Sequence, residues 1–197
     1  MKIIVSGGTG FIGTSVTKEL LALGHEVHTI GRRIPSFTIQ EKNRYHHTFD
    51  LSKDNLPKSL LVGTDIFFHI AAKAGVWGPY SEFFKANVIA TRKVLDACHS
   101  YHIPKLVYTS TPSVVFSEKS ISNGTETLPH LKNSFSPYAK TKSIAEQEVL
   151  KAHVSGKLQT VALRPHLVWG NGDPHLLPRV IKRHKKGTLR IIGNGTN

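Results

Sequence analysis

The stretch Ser6-Gly7-Gly8-Thr9-Gly10-Phe11-Ile12-Gly13 decides the reading of the fold. It follows a short apolar run, Lys2 to Ser6, and opens a helical pattern from Phe11 to Leu23 that Gly24 ends in the manner of a C-cap. A second apolar run, Glu26 to Ile30, completes a strand–helix–strand unit by residue 30. Glycines at 7, 10 and 13 each have a physical task in such a unit. The first permits a tight turn, the second lets a backbone approach a pyrophosphate, and the third lets the helix pack on the sheet with its N-terminus toward the phosphates.

Working outward, short apolar runs continue to alternate with helical periodicity. Strands are expected at Arg44–Thr48, Asp65–Ile70, Lys105–Thr109 and Leu158–Leu163, and helices at about Tyr80–His99 and Ser136–His153. The Gly/Pro-containing stretch Val168 to Pro174 leads to a basic helical stretch ending near Gly187, followed by a candidate strand, Leu189–Ile192. This is the pattern of an α/β fold, a doubly wound parallel sheet of the Rossmann type with helices on both faces, and residues 1–197 are expected to form one nucleotide-binding domain.

Composition narrows the function. A hydrophobic content of 39% over 197 residues is enough for a sizeable core. The single Cys98 cannot make an internal disulfide, which fits a reducing cytoplasm. The apolar segment after Met1-Lys2 is too short for a signal peptide or a membrane span, so a soluble cytoplasmic chain is expected. The net charge of +13 would suit a nucleic-acid binder, and much of it lies in Arg179, Lys182, Arg183, Lys185, Lys186 and Arg190. No groove-reading or base-stacking signature accompanies that segment, so a solvated helix face is expected and no nucleic-acid partner. No metal-ligand pattern is read either.

Three further groups of residues carry chemistry. Where an NAD enzyme would hold the ribose hydroxyls with a carboxylate, Gly31-Arg32-Arg33 stands instead; glycine leaves room for a 2′-phosphate and an arginine can pair with it. NADP(H) is therefore the expected cofactor, with NAD(H) as an alternative. Tyr138 and Lys142 lie one helical turn apart on one face. A lysine ammonium at about 5 Å would favour the phenolate by roughly 3 kcal/mol, about two pKa units, and bring tyrosine into range as a proton donor. The hydroxyl cluster Ser110-Thr111-Pro112-Ser113 follows a strand at its carboxyl end, where open α/β sheets place ligands.

Taken together, the glycine loop, Asp50-Leu51, His69-Ile70-Ala71-Ala72, Asn87, Tyr108-Thr109-Ser110-Thr111, Ser136-Pro137-Tyr138-Ala139-Lys140-Thr141-Lys142 and Leu163-Arg164-Pro165 resemble the extended short-chain dehydrogenase/reductase family throughout the chain. Within it, Ala71 to Gly78, Tyr108 to Val114 and Arg164 to Gly170 look like the 3β-hydroxysteroid dehydrogenase branch, with likeness to bacterial 2-alkyl-3-oxoalkanoate reductases and then to sterol-4α-carboxylate 3-dehydrogenases. The resemblance implies Tyr138 as general acid, Lys142 as its activator and a ribose ligand, and Thr111 as the group orienting the substrate carbonyl, with Ser110 and Ser113 as substitutes. It implies cofactor contacts from Gly7, Thr9, Gly10, Phe11, Ile12, Gly13, Arg32, Arg33, Asp50, Leu51, Ala71, Ala72, Asn87 and Pro165 as well.

The expected activity interconverts a 3-keto and a 3-hydroxy group on an apolar, carboxylated or alkyl-bearing small molecule, with Trp77 and Trp169 suggesting an apolar pocket. Alternatives are a nucleotide-sugar epimerase or dehydratase of the same fold, or an NADP-binding module without turnover. The two long helices resemble those that pair in family dimers, so a homodimer is expected. Family members are longer and use their C-terminal part to cover the substrate, so the chain is expected to be truncated before that part.

Overall fold

The computed structural model describes residues 1–34, 41–75, 77–116, 121–131, 134, 136–174, 176–190, 193 and 194. They divide into two compact units, Met1–His166 and Leu167–Asn197. The first holds six strands: β1 (Lys2–Ser6), β2 (Glu26–Gly31), β3 (Arg44–Thr48), β4 (Ile66–His69), β5 (Lys105–Thr109) and β6 (Gln159–Leu163). All pair in parallel, in the order β3-β2-β1-β4-β5-β6. The chain direction of strand addition reverses between β1 and β4, the switch point where doubly wound sheets open a crevice at their carboxyl ends.

The helices of this unit are α1 (Phe11–Ala22), α2 (Lys58–Leu61), α3 (Tyr80–Phe83), α4 (Ala90–Ser100) and α5 (Pro137–Lys151). A π-helical turn, Phe84–Ile89, joins α3 to α4, so the helix expected over Tyr80–His99 is continuous but widened in its middle. Strand periodicity distributes the core between the two faces of the sheet. Ile3, Val5 and Val27 are fully buried with Leu20 and Leu21 of α1. Ile4, Ile30, Phe67, Leu106 and Tyr108 pack with Val94 and Cys98 of α4 and Ala145 and Val149 of α5. Each fully buried side chain of this size contributes about 1.5–3 kcal/mol.

Within the second unit, α6 (Leu176–Lys185) starts under the Asp173 carboxylate, which accepts from the Leu176 and Leu177 amides at 2.9–3.1 Å. It ends at Gly187, in the left-handed conformation at φ +64°, with Thr188 N–H bonded back to the Arg183 carbonyl. None of its residues is buried, and Lys182, Arg183 and Lys185 lie in its last turn, while Lys186 and Arg190 of the basic segment follow the helix. Leu189 and Arg190 have no regular structure, and Ile191 and Ile192 of the candidate strand lie outside the described residues, as does Val76 of the Ala71–Gly78 stretch. No described helix is long and apolar enough to cross a membrane.

Candidate functional site

The strand ends Ser6, Ile30, His69 and Tyr108 are neighbours across the ladder, so the loops that follow them meet along one edge of the sheet. At β1, Gly7 donates to the Ile30 carbonyl at 2.8 Å and turns the chain at φ +71°. A Cβ there would lie 2.9 Å from the Ala71 nitrogen, and one at Gly13 would lie 2.0 Å from the Gly7 carbonyl oxygen. The loop folds back on α1 so closely that only hydrogen fits. Gly10 is the N-cap, with no side-chain bond to the helix and no acidic residue in its first turn. The N-terminal amides of α1 thus face a cradle a Cβ would fill, and Gly7, Thr9, Gly10, Phe11, Ile12 and Gly13 fit a pyrophosphate there.

Opposite the cradle, Ile70 and Ala71 donate to Ser6, both to its carbonyl and to its hydroxyl, at 3.1–3.3 Å. The next turn is held by Asn87, whose Oδ1 accepts from Lys73 N at 2.7 Å while Nδ2 donates to the Lys73 carbonyl and to Thr141 Oγ1, both at 3.1 Å. Asn87 therefore supports the Ala71-Ala72 loop from behind and ties it to α5. It sits in the π-helical turn, a distortion that recurs at functional sites.

Gly31 closes β2, and the side chains of Arg32 and Arg33 are exposed. Asp50 accepts from the hydroxyl and amide of Ser52 at 2.7 and 3.0 Å, which holds its carboxyl below the usual range, with Lys53 and Arg32 assisting. Leu51 is buried in the core, so it supports that loop from beneath.

The catalytic candidates gather where β5 ends. Ser136 caps α5 by accepting from Ala139 N, and Pro137 occupies the first turn, where its missing N–H costs nothing. This starts the helix one residue before Tyr138. Thr111 is nearly buried; its hydroxyl donates to Ser113 Oγ at 3.2 Å and caps the 3-10 turn Pro112–Val114. Burial raises the Tyr138 phenol above the ordinary value, and the nearby Thr111 hydroxyl opposes the rise. Lys142, one turn on, is buried and donates to the Thr109 carbonyl at 2.6 Å, its ammonium 4.1 Å from the Tyr108 ring centre. Burial brings Lys142 down to about 7, with Glu146 opposing.

Lys142, the expected activator of Tyr138, binds a carbonyl of β5, and burial raises the Tyr138 phenol. The expectation of Ser110 as a substitute for Thr111 is corrected here. Ser110 is buried, and its hydroxyl donates to Glu146.

Glu146 itself was not foreseen. It is fully buried and accepts from Arg164 at 2.5 and 3.0 Å, from His130 at 2.8 Å and from Ser110. Burial alone would raise its pKa, yet these donors hold it below the usual carboxylate range. A helix residue four beyond Lys142 shares its face, and that spacing was the available signal. Arg164 and Pro165 follow β6, so the charge pair fastens the carboxyl end of β6 to α5, with Pro165 beside it in sequence. A second buried chain also escaped notice. Ser6 Oγ lies 2.7 Å from His69 Nδ1, His69 Nε2 lies 3.0 Å from Thr91 Oγ1, and Thr91 donates to the Asn87 carbonyl at 2.6 Å. Trp77 and Trp169 are 89% and 64% exposed, so neither is enclosed in an apolar pocket among the described residues. No group of three or more potential metal ligands occurs among those residues.

A profile of the 3-beta hydroxysteroid dehydrogenase/isomerase family matches residues 4–197. The chain is 41% identical to a 2-alkyl-3-oxoalkanoate reductase of Stenotrophomonas maltophilia, over all of this chain and 60% of that protein. It is 35% identical to a sterol-4-alpha-carboxylate 3-dehydrogenase, decarboxylating, of Bos taurus, over 98% of this chain and 54% of the relative. Among solved structures, a UDP-glucuronic acid 4-epimerase from Bacillus cereus in complex with NAD superposes with a TM-score of 0.83 at 27% identity, over 100% of this chain and 68% of that one. The chain thus spans little more than half the length of these curated relatives.

Proposed function

The chain belongs to the 3-beta hydroxysteroid dehydrogenase/isomerase family, within the extended short-chain dehydrogenases/reductases, and from that membership we propose that it is the cofactor-binding part of an NADP(H)-dependent oxidoreductase. Its reaction interconverts a keto and a hydroxy group on an apolar substrate, of the 3-oxo acid or sterol class that its relatives' names describe. The observation that carries this reading is Tyr138 one turn before the buried Lys142 on α5, with Lys142 bonded to the strand that leads into Thr111, at the carboxyl edge that also bears the glycine cradle.

A nicotinamide cofactor supplies or accepts the hydride. In reduction, Tyr138 gives its phenolic proton to the developing alkoxide, and the Thr111 hydroxyl orients the carbonyl oxygen toward it. The phenolate left on Tyr138 regains its proton from solvent. Lys142 then has two roles: its ammonium, held on the Thr109 carbonyl, favours the phenolate when it forms, and its remaining N–H groups bind the ribose of the cofactor. Gly31 with Arg32 and Arg33 supports NADP(H) over NAD(H), because no carboxylate ends β2 to repel a 2′-phosphate.

A nucleotide-sugar epimerase reading draws on the Bacillus cereus neighbour at 27% identity; the 41% identity to a reductase favours net redox turnover. The test is turnover of NADPH against 2-alkyl-3-oxo acids and 3-ketosteroids, with Tyr138→Phe in parallel. Turnover that the phenylalanine variant loses, with cofactor affinity kept, is the expected result. Activity retained by that variant would overturn the assignment of the acid, and isomerisation of a nucleotide sugar without net NADPH consumption would overturn the reductase reading.

A further inference from the structure

Beside Gly31 stands an imidazole. His46 of β3 lies opposite Thr29 in the β2–β3 ladder. Its Nε2 is 3.0 Å from the Arg33 carbonyl oxygen, which can only accept, so Nε2 carries a hydrogen. Its Nδ1, 3.0 Å from Thr29 Oγ1, is then the acceptor of the neutral ring. A Cβ built on Gly31 would lie 3.0 Å from Thr9 Oγ1 and 3.4 Å from His46 Cε1. The ring is therefore clamped by both nitrogens between β2 and the turn that carries the arginines, and its C–H edge lies, with Thr9, within contact range of where a side chain on Gly31 would stand.

We propose that His46 is a specificity-determining residue for a phosphorylated ribose: it takes up one proton from solvent when a 2′-phosphate binds at the turn after Gly31, adding a third positive charge to those of Arg32 and Arg33. The inference rests on the NADP(H) reading. Protonation requires no movement of the ring. Nε2–H keeps the Arg33 carbonyl, while Thr29 Oγ1, 3.2 Å from the Tyr45 carbonyl oxygen, turns its hydrogen there and accepts from the new Nδ1–H. The polarised Cε1–H edge then faces the phosphate.

The charges around the ring explain why the phosphate decides its state. Burial first, then Arg44 on the same strand, lower the His46 pKa, against the Arg33 carbonyl bond that raises it. Arg44 is itself paired with Glu41 at 2.6 Å. His47 points to the opposite face of the strand, where it meets His28 at 2.9 Å. Arg32 and Arg33 follow β2, Asp50 follows β3, and the glycine loop adds no charge. The surroundings favour a neutral ring until a dianion arrives, and a dianion at contact distance reverses the balance.

The test uses calorimetry with adenosine 2′,5′-bisphosphate and with AMP at pH 7.5, in buffers of different ionisation enthalpy, on the wild type and on His46→Gln. Glutamine can still donate to the Arg33 carbonyl but cannot take a charge. Protonation of the phosphate itself is common to both proteins, so the difference between them reads His46. Expected is a greater proton uptake by the wild type, approaching one per site, and a preference for the bisphosphate over AMP that falls roughly tenfold in the variant. In the wild type alone, the His46 Cε1–H resonance should titrate at higher pH with the bisphosphate bound than with AMP bound, a readout that stands if the variant does not fold. Equal proton uptake in both proteins, or a resonance that ignores the bisphosphate, overturns the inference while leaving the arginines their role. Equal affinity of the wild type for the two nucleotides overturns the NADP(H) reading and this inference with it.

Discussion

Lys142 donates to the carbonyl oxygen of Thr109 at 2.6 Å, and this bond joins the helix that carries Tyr138 to the strand that delivers Thr111. The joint is made by a cation buried to 2% exposure. Its ammonium rests on the face of Tyr108 and, among the described residues, faces no carboxylate at hydrogen-bond distance, so the site holds a charge whose burial is incompletely compensated.

That cost has a sign in pH. Lys142 titrates at about 7 when folded and near 10.5 when unfolded, so between those values the unfolded chain binds more protons. The penalty is complete below pH 7 and is relieved as pH rises toward 10, by at most about 1.4 kcal/mol per unit. Denaturation midpoints of the wild type should therefore rise with pH across this window relative to those of Lys142→Met. Parallel pH dependences in the two proteins would show that Lys142 keeps its charge in the folded state.

Glu146 presents the opposite case, a buried charge with its donors in place. Removing the charge alone, as Glu146→Gln, leaves Arg164 without its partner and should cost about 3–5 kcal/mol in denaturant unfolding. Replacing both, as Glu146→Leu with Arg164→Met, should cost less than the single change, because no uncompensated cation remains. A double variant as unstable as the sum of the two singles would mean that the pair acts only through separate contacts.

The glycine loop separates folding from binding. A methyl at Gly13 would meet the Gly7 carbonyl oxygen at 2.0 Å, backbone against backbone, so Gly13→Ala should destabilise the chain by more than about 2 kcal/mol. Gly10 has an ordinary φ of −83° and its added Cβ would stand 3.2 Å from the same oxygen. Gly10→Ala should fold with a loss below about 1 kcal/mol yet weaken cofactor binding about tenfold or more, since the methyl stands where a pyrophosphate approaches the helix N-terminus. Thermal melting with cofactor titration distinguishes the two; equal melting points for both variants would refute the steric argument.

These contrasts show what the sequence makes legible. The starts and ends of β1 and β5 follow from local apolar runs, and the glycine cradle follows from spacing, because both are decided within a few residues. The π-helical turn at Phe84–Ile89 is not decided locally. It accompanies Asn87, whose amide reaches Lys73 and Thr141, residues 14 and 54 positions away. Likewise Glu146 reads in the sequence as one more polar residue of a helix, and only the folding of β6 brings Arg164 to it. The short helix α2 lies in a stretch with too few residues to show a period. The pairing of Tyr138 with Lys142 was visible as spacing, whereas the partner that Lys142 takes was set by β5.

The turn after β2 permits the sharpest test of cofactor choice. The 2′-phosphate adds close to two negative charges, and Gly31 offers neither a carboxylate to repel it nor a side chain to crowd it. A charge-assisted hydrogen bond contributes roughly 1.5–3 kcal/mol, so Arg32→Ala should weaken NADPH on the order of tenfold to a hundredfold and leave NADH nearly unchanged, with Arg33→Ala losing less. Arg32 also lies close enough to Asp50 to lower its carboxyl pKa. Inverting the preference needs more than removing a charge. Aspartate at position 31 could accept the ribose hydroxyls, but its Cβ would press on the Thr9 hydroxyl at 3.0 Å, so Thr9 must turn aside. Gly31→Asp combined with Arg32→Ala should therefore bind NADH better than NADPH, at an absolute affinity below that of the wild type for NADPH. Dissociation constants for both cofactors in the wild type and the three variants decide the matter. Equal constants in the wild type, or a ratio unchanged by Arg32→Ala, would show that Arg32 points to solvent with the cofactor bound and that the turn has no part in the choice.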